Sequence, residues 1–199
     1  MHLIGDAMKL LIGIPCMDFM HVDFVKSLHD LTERLHADKI DFDVKFESGT
    51  LVYLARDRIA RYSIENGYTH VLWLDSDMVF KPEDFYKLRD SGKAFISGIC
   101  VGRRKPHNSC LFERLSPSKR FTSYKSGVFE IAACGFAFVL VETQIIKDVI
   151  RGYKTGFLPT ASYGEDLAFC VRVAGLKHTM YAHGDVKIGH IGHFAVYPT

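Results

Sequence analysis

The sequence predicts an α/β fold with a mostly parallel central sheet and helices on its faces, and three observations predict it. Short apolar runs alternate with amphipathic helical stretches over the first hundred residues, the pattern of strand–helix–strand crossover units. The run 71–74, Val-Leu-Trp-Leu, is continuously apolar and follows the turn-forming pair Asn66-Gly67, as suits a strand buried on both faces. That run ends in Asp75-Ser76-Asp77, which places two carboxylates beyond the carboxyl end of a strand, where such sheets bind their ligands.

Each element follows from local pattern. Residues 9–16 read as a first buried strand running into a loop at Pro15. Residues 24–35 have helical spacing, with Val25, Leu28, Leu31 and Leu35 assigned to one face. In 42–46, Phe42, Val44 and Phe46 alternate with charged neighbours, and Glu47-Ser48-Gly49 closes this second strand. The clearest helix covers 51–65: Leu51, Ala55, Ile59 and Tyr62 line one face, Arg56 and Arg58 lie near its start, and Asn66-Gly67 stops it. A helix from Pro82 to Ser91 and an apolar strand over 94–101 complete this half.

The pattern changes over 102–127, which carries Arg103, Arg104, Lys105, Arg114, Lys119, Arg120 and Lys125 against a lone acid, Glu113. It reads as a long structureless basic loop, either a solvated surface or a phosphate-binding lid. Strands resume at 128–131 and 136–141 around Ala132-Ala133-Cys134-Gly135, where a glycine admits the close approach of a ligand or another backbone. A helix covers 143–150, and another opens at Gly164-Glu165-Asp166 and ends at Gly175.

Three groups of residues carry candidate chemistry. If extended geometry persists to Asp77, the side chains of Asp75 and Asp77 point to one spot. Two such carboxylates ionise together only beside a cation, and Mg2+ or Mn2+ is held by one or two carboxylates plus substrate phosphates. The competing reading makes both aspartates turn caps ahead of Lys81-Pro82-Glu83-Asp84. Glu165 and Asp166 either serve the dipole of their helix or supply a general base. Of His178, His183, His190 and His193, the pair His190-x-x-His193 has metal-ligand spacing but lacks a cysteine pair that would argue for structural zinc.

Composition narrows the classes. With 199 residues, 48% hydrophobic and 24% charged, the chain is expected to form a single domain over 1–199. A net charge of +2 is too small to argue for nucleic acid or an acidic membrane. The five cysteines are odd in number and form no Cys-x-x-Cys, which suits free thiols in a reducing compartment. No apolar stretch approaches the ~18 residues of a membrane span, and 10–16 is too short for a leader, so a soluble cytoplasmic protein is expected.

Taken in order, these residues resemble the glycosyltransferases of the GT-A fold, in particular the family-2-like, Asp-x-Asp metal-dependent members. The resemblance rests on Leu11-Ile12-Gly13-Ile14-Pro15, on Ala55-Arg56-Asp57 leading into 70–77, on Cys134-Gly135-Phe136, and on Gly164-Glu165-Asp166 followed by Gly189-His190-Ile191-Gly192. It implies a Rossmann-like nucleotide-sugar-binding half over about 9–101 and an acceptor half over about 128–199, with 102–127 between them. By position it implies Asp77, His190 and Asp75 as ligands of Mn2+ or Mg2+, and Pro15, Arg56, Asp75 and Ser76 as contacts of a UDP- or GDP-linked sugar. It further implies Gly135 and Glu165 at the acceptor hydroxyl and Asp166, with Glu165, in catalysis with inversion. Asp57 stands where the family more often has Asn. The chain is short for the fold, so acceptor recognition falls to the basic loop or to a second protomer, and a homo-oligomer is one expected state. A nucleotidyltransferase would show a glycine-rich loop with a basic residue after the first strand; Pro15-Cys16-Met17-Asp18 has neither. The third reading is a non-catalytic nucleotide-sugar-binding protein.

Overall fold

The computed structural model describes residues 8–192 and 195–197; His193 lies outside them. The chain begins with β1 (Lys9–Pro15), α1 (Val22–Ala37), β2 (Asp41–Glu47), α2 (Val52–Glu65) and β3 (His70–Leu74). Both β2 and β3 pair with β1 in parallel register, Leu10 standing opposite Phe42 on one side and His70 on the other. Next come β4 (Met78–Val79), α3 (Pro82–Asp90), β5 (Phe95–Ile99), β6 (Leu111–Arg114), β7 (Lys119–Arg120), β8 (Val128–Ile131) and β9 (Ala133–Cys134). The chain continues through β10 (Phe138–Glu142), α4 (Thr143–Tyr153), α5 (Glu165–Gly175), β11 (Met180–Lys187), β12 (Gly189–Ile191) and β13 (Ala195–Val196).

The main sheet has seven strands in the order β2-β1-β3-β10-β5-β11-β8. The first three run parallel, β11 is parallel to β5, and β10 enters antiparallel between β3 and β5. The sheet is therefore mixed but mostly parallel, as the alternating pattern predicts. Helices cover both faces because side chains alternate across each strand. Val71 and Trp73 pack with Ile59, Ile146, Val149 and Phe169 of α2, α4 and α5. Leu72 and Leu74 pack with Phe24, Leu31, Phe85 and Leu88 of α1 and α3. Close approach of α2 to β1 depends on Gly13, where a Cβ would stand 2.6 Å from Ile59 Cγ2.

Three local expectations are corrected. The apolar stripe of α1 starts at Phe24, whose spacing to Leu28, Leu31 and Leu35 follows the helical repeat, while Val25 lies about 100° away and is 44% exposed. Leu51 is an extended N-cap with ψ 143°, so it stands outside the buried face of α2 and is 61% exposed. The segment 102–127 is not structureless: β6 pairs antiparallel with β7 and β9, and Val101 bridges Ser109. Its anchor is the apolar pair Leu111 and Phe112, both buried against the core.

Candidate active site

Strand geometry ends at Leu74, not at Asp77. Asp75 follows the strand, Ser76 and Asp77 form a turn, and β4 begins at Met78. The carboxylates are thus brought together by a turn rather than by extended alternation. Asp75, Ser76 and Asp77 still open onto one cavity of about 650 Å3, shared with Pro15, Arg56, Glu165 and His190.

A second small sheet delivers His190. Strand β12 pairs with β4, setting His190 opposite Met78, and Ile191 N–H donates to Asp77 O at 2.8 Å. His190 Nδ1 lies 2.8 Å from Val101 O. A carbonyl only accepts, so Nδ1 donates to it, and Nε2 faces Asp77 Oδ2 at 3.4 Å, where its N–H donates to the carboxylate when the ring is protonated. Burial pulls this imidazole's pKa down, but the hydrogen bonds it donates to Asp77 and to Val101 O and the Asp77 charge outweigh it, and the net shift is upward. Arg103 reaches in from the basic segment to within 3.2 Å of Asp77 Oδ2. A guanidinium and a divalent cation would compete for that oxygen.

Arg56 organises the other carboxylates. It is 2% exposed, donates from Nη2 to Asp75 Oδ1 at 2.8 Å, and lies 3.9 Å by Nε from Glu165 Oε1. Its guanidinium carbon stands 5.5 Å from the Phe136 ring centre. Nε itself is buried without a hydrogen-bond partner among the described residues. Arg56 therefore borders the cavity, with its charge committed to the carboxylates around it. Desolvation raises the pKa of Asp75, the Arg56 charge opposes that, and Asp77 adds to it; the balance is upward.

Asp166 sits in the first turn of α5, after the N-cap Gly164. Burial first, and then the neighbouring Glu165 charge, push its carboxyl up to about 6, against the opposing pull of Arg56. Gly135 lies beside this carboxylate: a Cβ there would stand in ordinary contact with Asp166 Oδ2 at 3.4 Å and Cys110 Cβ at 3.5 Å. Glu165 lines the cavity, whereas Asp166 and Gly135 stand just behind it.

Several features escaped the sequence reading. Met17, Phe19, Leu51 and Val52 form an exposed apolar lip on the same cavity. Hydrophobic residues directly after a strand-ending proline are the signal that could have found the first two. Asp57 faces away from the cavity: Oδ1 accepts from Gly156 N and Phe157 N at 3.0 and 2.7 Å, and Oδ2 from Thr155 Oγ1 at 3.0 Å. All five cysteines are free thiols, with Cys100, Cys134 and Cys170 buried.

Among solved structures, A197 from STIV matches with a TM-score of 0.67 and 21% identity over 93% of this chain and 86% of that one. GalNAc-T7, solved with UDP, GalNAc and Mn2+, matches with a TM-score of 0.62 and 11% identity over 94% of this chain. The fold is GT-A-like. The chain spans 44% of the length of GalNAc-T7. No family model matches the sequence, and no curated protein matches it.

The GT-A-like framework accounts for where the residues meet, since the mouth lies beyond the carboxyl ends of β1 and β3. Among the described residues, no group of three or more His, Cys, Asp or Glu could hold a metal ion. Asp77 Oδ2 and His190 Nε2 instead face each other across 3.4 Å, one carboxylate and one imidazole that gives up its Nε2 proton to ligate. That donor set fits Mn2+ or Mg2+ when substrate phosphates supply the remaining ligands. Among the described residues, no helix is long and apolar enough to cross a membrane.

Proposed function

We propose that this protein is a metal-dependent glycosyltransferase that moves a sugar from a nucleoside-diphosphate sugar to an acceptor hydroxyl with inversion. The observation that carries the reading is the Asp77–His190 pair, whose ring tautomer is fixed by Val101 O so that Nε2 faces the carboxylate. GalNAc-T7, which shares the fold, holds UDP, GalNAc and Mn2+ in its solved structure, and those are the components such a donor site would bind.

Asp77 and His190 would hold the ion, with Asp75 beside it. When bound, Mn2+ or Mg2+ supplies positive charge opposite the departing diphosphate. The apolar lip of Met17, Phe19, Leu51 and Val52 takes the nucleoside, with Pro15 and Ser76 on the floor. Arg56 fixes the orientation of Asp75 by its hydrogen bond and lies beside Glu165. Asp166, with its pKa near 6, accepts the proton of the acceptor hydroxyl as that oxygen attacks the anomeric carbon and the nucleoside diphosphate departs, with Gly135 next to it. Arg103 must leave Asp77 before the ion can bind, which makes Arg103 part of the donor site.

The test is to incubate the protein with UDP- and GDP-sugars and Mn2+ and to identify the nucleotide released. Free UDP or GDP supports transfer or its hydrolytic side reaction. Pyrophosphate release from nucleoside triphosphates would move the assignment to a nucleotidyltransferase, and binding without turnover against any hydroxyl acceptor would leave a sugar-nucleotide-binding protein.

A further inference from the structure

A second cavity, of about 720 Å3, adjoins the donor mouth through the shared residues Arg103 and His190. Its other walls include Arg104, Arg120, Asn108 and Cys110. The charge there is one-sided. Glu113, the lone acid of 102–127, is taken up by Lys119. Arg103 pairs with Asp77, and Arg104 and Arg120 have no carboxylate partner among the described residues. Arg120 is held in place nonetheless: its Nη1 donates to Ser109 O, and its guanidinium lies 4.3 Å over the Phe112 ring. Arg104 and Arg120, two guanidinium groups in a concave site without carboxylate partners among the described residues, suit an anion with several acceptor oxygens.

The position of this cavity says which substrate would bring the anion. Cys110 on its wall accepts, at its carbonyl, from Gly135 N at 2.9 Å, and Asp166 Oδ2 stands beside Gly135, 3.4 Å from where a Cβ would be. The cavity therefore ends beside the group assigned as base, on the opposite side of Arg103 and His190 from the apolar lip that suits a nucleoside. Resting on the transfer reading above, we propose that this cavity binds a phosphate group carried by the acceptor, so that the acceptor is a phosphorylated hydroxyl compound. A phosphate monoester brings about −2 charge near neutral pH, enough to engage two guanidiniums where one carboxylate would leave a positive excess.

The test is isothermal titration of the full chain with inorganic phosphate, glucose 6-phosphate and glucose, each in the presence of saturating UDP and Mg2+. Arg104 is the residue to vary, because it is exposed and its side chain makes no hydrogen bond among the described residues. The expected result is that phosphate and glucose 6-phosphate bind alongside UDP and compete with each other, while glucose does not bind. Arg104→Gln should weaken both by about tenfold and leave UDP affinity unchanged. Failure of both phosphates to bind overturns the proposal. So does displacement of phosphate by UDP, which would assign the cavity to the donor diphosphate. If phosphate binds but UDP does not, the glycosyltransferase reading fails and takes the acceptor role with it, leaving a plain anion site.

Discussion

At the scale of single residues, the site is a set of carboxylates kept apart in character by their neighbours. Asp75 is tied to Arg56, Asp77 faces His190 and Arg103, and Asp166 is left with burial and a like charge, which bring it to about 6. If Asp166 is the base, transfer should rise with pH up to about 6 and then level off, because only the ionised form accepts a proton. Asp166→Asn should lower the rate by about 10²–10⁴-fold without changing donor affinity. The same shift has a stability consequence. A folded-state value raised above the ordinary 3.8 means the native protein binds the proton more tightly than the unfolded chain. Its contribution is most favourable below about 4 and declines as pH rises to about 6. Calorimetry should therefore show Asp166→Asn gaining melting temperature relative to wild type between pH 4 and pH 6; an unchanging gap would show that Asp166 is not buried at this cost. Sequence alone exposed Asp75, Asp77, Asp166 and His190, because charges at the ends of apolar runs stand out. It could not show that Arg56 is spent on Asp75 and Glu165, since that depends on contacts 19 residues apart and more.

At the scale of elements, periodicity recovered the helices and the first strands, and failed where tertiary contact decides. Phe24 and Val25 are apolar neighbours; the i, i+4, i+7, i+11 spacing to Leu28, Leu31 and Leu35 fits Phe24, and its packing with Leu72, Leu74 and Met78 of β3 and β4 shows it is the buried one. The turn at Ser76-Asp77 stood in the sequence as the competing reading of the two aspartates, and the pairing of β4 with β12 rather than any local pattern decides for it. The basic segment concealed its hairpin because β6 and β7 are short and β6 finds its second partner, β9, many residues later. Asp57 shows how one polar residue can join elements: it fastens α2 to the loop between α4 and α5 through Thr155, Gly156 and Phe157, while Arg172 holds the same loop by donating to Gly156 O and Leu158 O. Removing these bonds to a charged acceptor in Asp57→Ala should cost about 2–3 kcal/mol. For a chain of this length that lowers the melting temperature by about 5–10 °C in calorimetry. Asp57→Asn should recover part of the loss. A wild-type melting temperature in Asp57→Ala would mean that the loop is held by Arg172 and packing alone.

At the scale of the whole molecule, the fold explains why residues spread from Pro15 to His190 can act together. Parallel strands β1 and β3 deliver their carboxyl ends to one mouth, and β4 draws β12 back across it. The antiparallel insertion of β10 between β3 and β5 brings Phe136 and Gly135 up beside Asp75, since Asp75 N donates to Ala137 O at 3.1 Å. Alternating strands and helices made the parallel half legible. The entry of β10 was not, because nothing local in an apolar strand marks its direction. The two-cavity arrangement was also unreadable, since exposed arginines and a lip of hydrophobic residues look like ordinary surface until the fold curves them into walls. The central claim is that Asp77 and His190 bind a divalent ion together with a nucleoside diphosphate. Its most direct test is calorimetric titration of UDP and GDP into wild type and Asp77→Asn, each with Mn2+ and with EDTA. Binding of one nucleotide that requires Mn2+ and is lost in Asp77→Asn is the predicted result; binding that is indifferent to Mn2+ and to Asp77, or no binding of either nucleotide, would contradict it.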